Sequence, residues 1–252
     1  MTSQGDDPVE GSPRGGDLVR RHRWPTRLWH WFNVVIVAVM LMSGLMIFNA
    51  HPRLYWGSYG ANPDPAWLDL SQVRGGEPFP GWITIPSTYS LADARLWHLA
   101  FAWLLVSGLA LYLVWALVDG HLRRDLAPRR GELTPGHLWH DVVEHAHLRF
   151  PTGAAARRYN ALQKLAYGTV LLVLLPGMIL TGLAMSPAID AGFPVLLDLL
   201  GGRQSARSLH FLCAGGLVAF FAVHILMVLL AGPVNEVRAM ITGWYRLPKE
   251  PA

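Results

Sequence analysis

Sulfur chemistry has almost no foothold in this chain. Its 252 residues include one cysteine, Cys213, inside an apolar run. That excludes a disulfide within the chain, a four-cysteine zinc or iron–sulfur site, and the C-x-x-C-H attachment of a covalently bound haem. Any cofactor has to be held by something other than sulfur. Charge is also scarce. Asp, Glu, Lys and Arg make up 15% of the residues, against about 25% in soluble domains. The shortage is concentrated: stretches 31–50, 96–118, 165–189 and 209–232 contain no Asp, Glu, Lys or Arg at all. Each has the length of about 20 residues needed to cross the hydrocarbon core of a bilayer. No nucleic-acid-binding motif is visible. The formal net charge of +4 does not point to one either, because basic residues of membrane proteins collect on one side for topological reasons.

The four stretches predict an all-α protein, an integral membrane four-helix bundle. Residues 1–19, rich in Gly, Asp, Pro and Ser, read as a disordered tail, 20–247 as the bundle and 248–252 as a C-terminal tail. The first apolar stretch is too long for the core of a signal peptide, and no small-x-small cleavage site follows it. Pro25 suits the first turn of its helix, where a missing N–H costs nothing. Ser90 and Asp93 have the spacing of a capping box that opens the second helix. Pro176 is expected to kink the third. Lys and Arg number five before the first stretch, eight between the second and third, and three after the fourth; the other two loops hold three and two. Sixteen against five places both termini and the 119–164 loop in the cytoplasm. The outer loop 51–90 carries Trp56, Tyr59, Trp67, Phe79, Trp82 and Tyr89. Such a weakly charged aromatic surface fits either a headgroup layer or a partner protein.

Ionisable groups inside a span need a reason to be there. The only ones are histidines: His98 in the second helix, His210 and His224 in the fourth, and His30 at the edge of the first. Helix direction sorts them by depth. His30 and His224 fall near the inner side, His98 and His210 near the outer side. The fourteen residues between His210 and His224 correspond to a rise of about 21 Å and leave both on nearly one helix face. One helix can therefore offer an axial ligand to each of two stacked cofactors. Two b-type haems fit, since a bis-histidine haem needs imidazoles at equal height on facing helices and room for a flat ring. Gly44, Gly108, Gly182, Gly215 and Gly216 are candidates for making that room.

Arg27, Arg95 and Arg207 each precede a proposed ligand by three residues, two of them within the string Arg-Leu-Trp-His. One helical turn sets each Arg on the ligand's face but nearer water, where it can pair with a haem propionate. A single membrane histidine is more often an interhelical hydrogen-bonding residue, and the arginines alone would suit snorkelling. Four histidines at two matched depths, three with an arginine one turn outward, favour haem. Trp29, Trp31, Trp97 and Trp103 read as interfacial residues with no redox role. His137, His140, His145 and His147 crowd one loop. Without cysteine they do not match a structural zinc site, and a solvated interfacial helix accounts for them better.

With these histidines placed, the chain resembles the cytochrome b561 family of bacterial membrane subunits, which includes the b subunits of nickel–iron hydrogenase and formate dehydrogenase. Within it, the thiosulfate reductase cytochrome b type is the most similar. The resemblance rests on 27–32, 49–57 (NAHPRLYWG), 95–98, 148–167, 201–210 (GGRQSARSLH) and 232–245, and on the His-x13-His pair of the fourth helix. It implies that His30 and His224 ligate a haem on the cytoplasmic side and that His98 and His210 ligate one on the periplasmic side. It also implies electron exchange between membrane quinone or quinol and a periplasmic oxidoreductase partner of the molybdenum-cofactor type. Asn160, Lys164 and Asn235 are weak candidates for a quinone site. A stand-alone quinone-linked superoxide oxidase is the rival within the family. A haem-free transporter or sensor is the rival from another class.

Overall fold

The computed structural model describes residues 16–147 and 159–248. Its elements, in chain order, are β1 (Leu18–Arg20), α1 (Trp24–Asn49), β2 (Arg53–Leu54), β3 (Leu68–Asp69), α2 (Leu91–Val118), α3 (Pro135–Ala146), α4 (Ala161–Thr169), α5 (Leu175–Met185), α6 (Pro187–Gly192), α7 (Val195–Leu199), α8 (Arg203–Ala231), α9 (Pro233–Thr242) and β4 (Trp244–Arg246). Four helical segments are long and apolar enough to cross a membrane: α1, α2, the run Ala161–Met185 and α8. Large apolar side chains such as Leu111, Val118, Phe221 and Leu229 are exposed along them. A soluble fold would bury that surface, whereas a bilayer covers it. Part of the 148–167 stretch, including Arg157 and Arg158, and most of both predicted tails lie outside the described residues.

The helix ends show what hydropathy alone misses. The third span runs Ala161–Met185, shifted toward the N-terminus relative to the uncharged stretch 165–189. It opens on a reciprocal capping box, in which Gln163 N–H donates to Asn160 Oδ1 and the Asn160 N–H donates to Gln163 Oε1. That cap outweighs the presence of Lys164 in the first turn. The span closes where Ser186 turns extended ahead of Pro187, the first residue of α6. Pro176, where a kink is expected, lies just after a π-helical turn, Val170–Leu174, between α4 and α5. A proline clashes with the carbonyl four residues back, and a wider turn gives that carbonyl space. At α2, Asp93 N–H donates to Ser90 Oγ as expected, but the Asp93 carboxylate takes the Ser90 hydroxyl proton instead of reaching the backbone.

Packing pairs α1 with α2 and α5 with α8. A core of Ile36, Leu105, Leu109, Tyr112, Ala116, Leu126, Leu171 and Leu175 fills the space between α1, α2 and the third span. The described ends of the chain, residues 16–20 and 244–247, meet on one side of the bundle. β1 and β4 pair antiparallel, Val19 opposite Tyr245, within a small cluster of Val19, Ala239, Tyr245 and Leu247. Arg21 closes this clasp, with its guanidinium 4.3 Å from the Tyr245 ring and 3.2 Å from the Glu236 carboxylate. The strand therefore starts inside the stretch whose composition reads as tail.

The opposite side is capped by the 50–90 loop, which β2 and β3 stiffen. It folds onto the start of α8. Gly57 carbonyl accepts the N–H groups of Gln204 and Ser205 at 3.0 and 3.1 Å. Ser208 Oγ donates to Tyr55 carbonyl and accepts from Trp67 Nε1. The loop thus satisfies part of the free N–H set at the α8 N-terminus. Gly202, at φ 99°, sits so close to Ser58 that a Cβ would fall 2.6 Å from its backbone. Two stretches far apart in sequence, NAHPRLYWG and GGRQSARSLH, are therefore one structural unit.

Candidate functional site

The four span histidines come together in two pairs. On the capped side, His98 of α2 faces His210 of α8 with ring centroids 6.2 Å apart. On the side of the chain ends, His30 of α1 faces His224 of α8, also at 6.2 Å. A single metal bound by two imidazole nitrogens has this spacing: two bonds of about 2 Å plus the half-widths of two rings, about 1 Å each, give roughly 6 Å. Among the described residues no cluster of three or more His, Cys, Asp or Glu forms. A metal held by either pair would need its remaining ligands from a cofactor, and a tetrapyrrole supplies four in one plane.

The surroundings of the His98–His210 pair fit that requirement. Gly44 of α1 lies against His98, where a Cβ would sit 3.4 Å from Cε1, and Gly182 of α5 lies against His210, with the matching distance 3.5 Å. Ser43 Oγ is 3.0 Å from His98 Nδ1, and Thr181 Oγ1 is 2.8 Å from His210 Nδ1. Both Nδ1 atoms are thereby occupied, and Nε2 is the nitrogen left to ligate. At the inner pair, Phe220 stacks on His224 at 5.7 Å and Trp31 sets an edge against His30 at 5.2 Å. The other three glycines do different work. A Cβ at Gly108 would collide with Phe32, one at Gly216 would press on Leu174, and Gly215 faces open space.

The three arginines differ. Arg207 is half-buried, donates to the carbonyls of Arg53 and His51, and lies over the Phe48 ring. Arg27 donates to the carbonyls of Met240 and Ile241 at the end of α9. Arg95 is exposed. A three-residue offset gives them a shared helix face but says nothing of the carbonyls that other elements bring to it.

The weak quinone-site candidates have structural partners. Asn160 caps α4, Lys164 pairs with Glu132, and Asn235 bonds to the backbone of Arg246. In the histidine-rich loop, His137, His140 and His145 lie on α3. His145 donates from Nδ1 to the Asp141 carbonyl and accepts from Asn160 at Nε2, which ties α3 to α4. Sequence reasoning passes over His22, which is buried beside Tyr159 with Nδ1 3.4 Å from the phenol oxygen. Burial first, and then the charge of Arg21, lowers its pKa to about 3, so it is neutral at physiological pH. Ser43 and Thr181 are missed as well, although a repeated string marks them: Met-x-x-Ser-Gly-Leu at 40–45 and Met-x-x-Thr-Gly-Leu at 178–183.

Comparison with known proteins identifies the family of the chain. A protein of Azospira oryzae, named as the protein-methionine-sulfoxide reductase subunit YedZ1, is 30% identical over 217 residues, covering 86% of this chain and 93% of that protein. Proteins named as Ni/Fe-hydrogenase B-type cytochrome subunits are 25% identical in Azotobacter vinelandii, over 87% of this chain and 85% of the relative, and 23% identical in Cupriavidus necator, over 93% and 91%. No solved structure matches the chain. The family model for prokaryotic cytochrome b561 matches residues 21–243, which takes in all four spans and all four span histidines, and the chain belongs to that family of membrane b-type cytochromes.

Proposed function

We propose that this chain is a two-haem electron-transfer subunit that links membrane quinone or quinol to a periplasmic oxidoreductase. His30 and His224 are its ligands for one haem b, and His98 and His210 for the other. The observation that carries this is the pair of facing imidazoles repeated at two depths with one centroid spacing, 6.2 Å. Haem b, when bound, supplies one-electron redox chemistry and leaves no open coordination position between two histidines. The protein's residues ligate it, exclude water along α1, α2, α5 and α8, and meet the propionates with Arg27, Arg95 and Arg207. Arg207 is already anchored on loop carbonyls, so it presents its remaining N–H groups at a fixed place.

The partner docks on the capped face. Trp56, Tyr59, Trp82 and Tyr89 of the loop are exposed there, joined by Phe193 and Leu199 of the segment before α8. Aromatic surface of this kind anchors protein interfaces. The relatives' names also describe subunits of larger oxidoreductases, which supports a partner over a self-sufficient enzyme. The resemblance to the thiosulfate reductase type favours a molybdenum-cofactor partner. Sixteen Lys and Arg belong to the two terminal segments and the 119–164 loop and five to the other two loops, which makes the capped face periplasmic.

The test is spectroscopic. The purified chain should show two b-type haems in a reduced-minus-oxidised spectrum. His98→Ala and His210→Ala should each remove the same haem, and His30→Ala and His224→Ala should each remove the other. Colourless protein from haem-replete cells, or partners that lose different haems, would overturn the assignment.

A further inference from the structure

Ser43 and Thr181 occupy matching places in the two halves of the bundle. The string 40–45 (MLMSGL) on α1 and the string 178–183 (MILTGL) on α5 repeat one pattern. Each brings a hydroxyl and a glycine to the histidine of its packing partner, α2 or α8. The histidines repeat too, within Ala94-Arg95-Leu96-Trp97-His98 and Ala206-Arg207-Ser208-Leu209-His210, where both alanines are fully buried. The outer imidazole pair thus lies between two copies of one local structure.

The direction of each hydrogen bond follows from the hydroxyl's second partner. Ser43 Oγ lies 2.7 Å from the carbonyl of Val39, four residues back, and Thr181 Oγ1 lies 2.6 Å from that of Gly177. A carbonyl accepts only, so each hydroxyl proton is committed to its own helix. The oxygen lone pair then faces the imidazole, and Nδ1 must be the donor. Together with the carbonyls of Met40 and Met178, which also accept from His98 and His210, that fixes the tautomer of both rings, with the proton on Nδ1 and the lone pair on Nε2. It also raises the donor strength of Nε2, as outer-sphere acceptors do for metal-bound histidines. Among the described residues, no side-chain hydroxyl or carboxylate is hydrogen-bonded to His30 or His224. The back-bonding of Ser and Thr within a spanning helix is common and needs no functional reason. Two hydroxyls aimed at the two rings of one pair, at equal places in a repeat, do need one.

We propose that Ser43 and Thr181 are positioning residues that hold the outer haem at a lower reduction potential than its ligands alone would set. This rests on His98 and His210 sharing a haem. A stronger Nε2 donor stabilises ferric iron more than ferrous iron, so loss of either hydroxyl favours reduction. Removing an outer-shell partner of a metal ligand changes affinity by about tenfold or more. A tenfold change in the ferric-over-ferrous preference corresponds to about 59 mV for a one-electron couple.

The test is a redox titration of the full-length protein, followed by its visible and paramagnetic resonance spectra, with the inner haem as an internal reference. Thr181→Ala and Ser43→Ala should each raise the potential of the outer haem and leave the inner one in place. The double variant should shift it further than either single variant, by at least the tenfold preference above. Thr181→Ser, which keeps the hydroxyl and drops only a methyl, should return the original value. If Thr181→Ala instead releases the outer haem alone and Thr181→Ser retains it, the positioning role also stands. An unchanged outer potential, equal shifts of both haems, or failure of Thr181→Ser to restore the value would overturn it. A wild-type protein with no haem sensitive to His98→Ala would defeat the ligand assignment itself, and haem content shows that before any potential is measured.

Discussion

Lys164 is 7% exposed, and its ammonium lies 2.8 Å from both carboxylate oxygens of Glu132. Burial alone pushes the Glu132 carboxyl up, but the bonds from Lys164 and from the Arg129 backbone outweigh it and hold the group below the ordinary carboxylate range. An ammonium at the mouth of an apolar span needs such a partner, because a buried cation left alone is costly. Lys164→Met keeps the apolar stem and removes the charge. The Glu132 carboxylate then keeps its burial and loses its main counter-ion. The expected loss is about 1–3 kcal/mol, read as a lower unfolding temperature in detergent. Glu132→Gln in the same background should recover part of it, since it removes the stranded charge. No loss in Lys164→Met would mean that water already solvates the pair. The sequence shows a lysine just outside an uncharged stretch, which reads as the end of a helix. The carboxylate that lets it sit inside the helix is 32 residues away, and nothing local announces it. The four histidines are the opposite case. Their depth follows from helix direction and residue count alone, so their pairing is legible. Ser43 and Thr181 fall between, because a hydroxyl inside an apolar helix has a bland explanation until its neighbour is known.

At the scale of elements, α1, α2 and α8 were legible because an uncharged run of this length has few other uses. The third span shifted because caps and prolines, which hydropathy does not weigh, set its ends. The clasp of β1 and β4 was not legible at all. Three-residue strands carry no periodicity worth reading, and their partners are more than two hundred residues apart. His22 lies two residues after β1 and should make the clasp sensitive to acid. With its pKa lowered to about 3 by burial and by Arg21, it binds a proton more weakly in the folded chain than in the unfolded one, where the value is 6.5. A depressed histidine pKa contributes stability above the unfolded value that is lost as pH falls toward the folded one. The contribution of His22 to stability should therefore be constant above pH 6.5. Below it, stability should fall by at most about 1.4 kcal/mol per pH unit. His22→Gln should flatten that slope while keeping a polar partner for Tyr159. An unaltered slope would move the acid sensitivity to another group.

At the scale of the whole molecule, the two sides of the bundle are built for different tasks. One side gathers the described ends of the chain, β1 with β4, together with α9. The outer side is covered by one long loop pinned to the start of α8, with its aromatic residues outward. The proposed partner can dock on the looped side only if that side faces the periplasm, as the basic-residue asymmetry of the sequence predicts. One cysteine in the chain makes this directly testable. In a Cys213→Ser background, Tyr59→Cys places a thiol at a position 90% exposed in the outer loop, and Val234→Cys places one at a position 82% exposed on α9. A membrane-impermeant maleimide applied to intact spheroplasts should label Tyr59→Cys and reach Val234→Cys only after the membrane is opened. Labelling in the reverse order would invert the molecule. It would move His98 and His210 to the cytoplasmic side and place the exposed aromatic loop where no periplasmic enzyme can reach it.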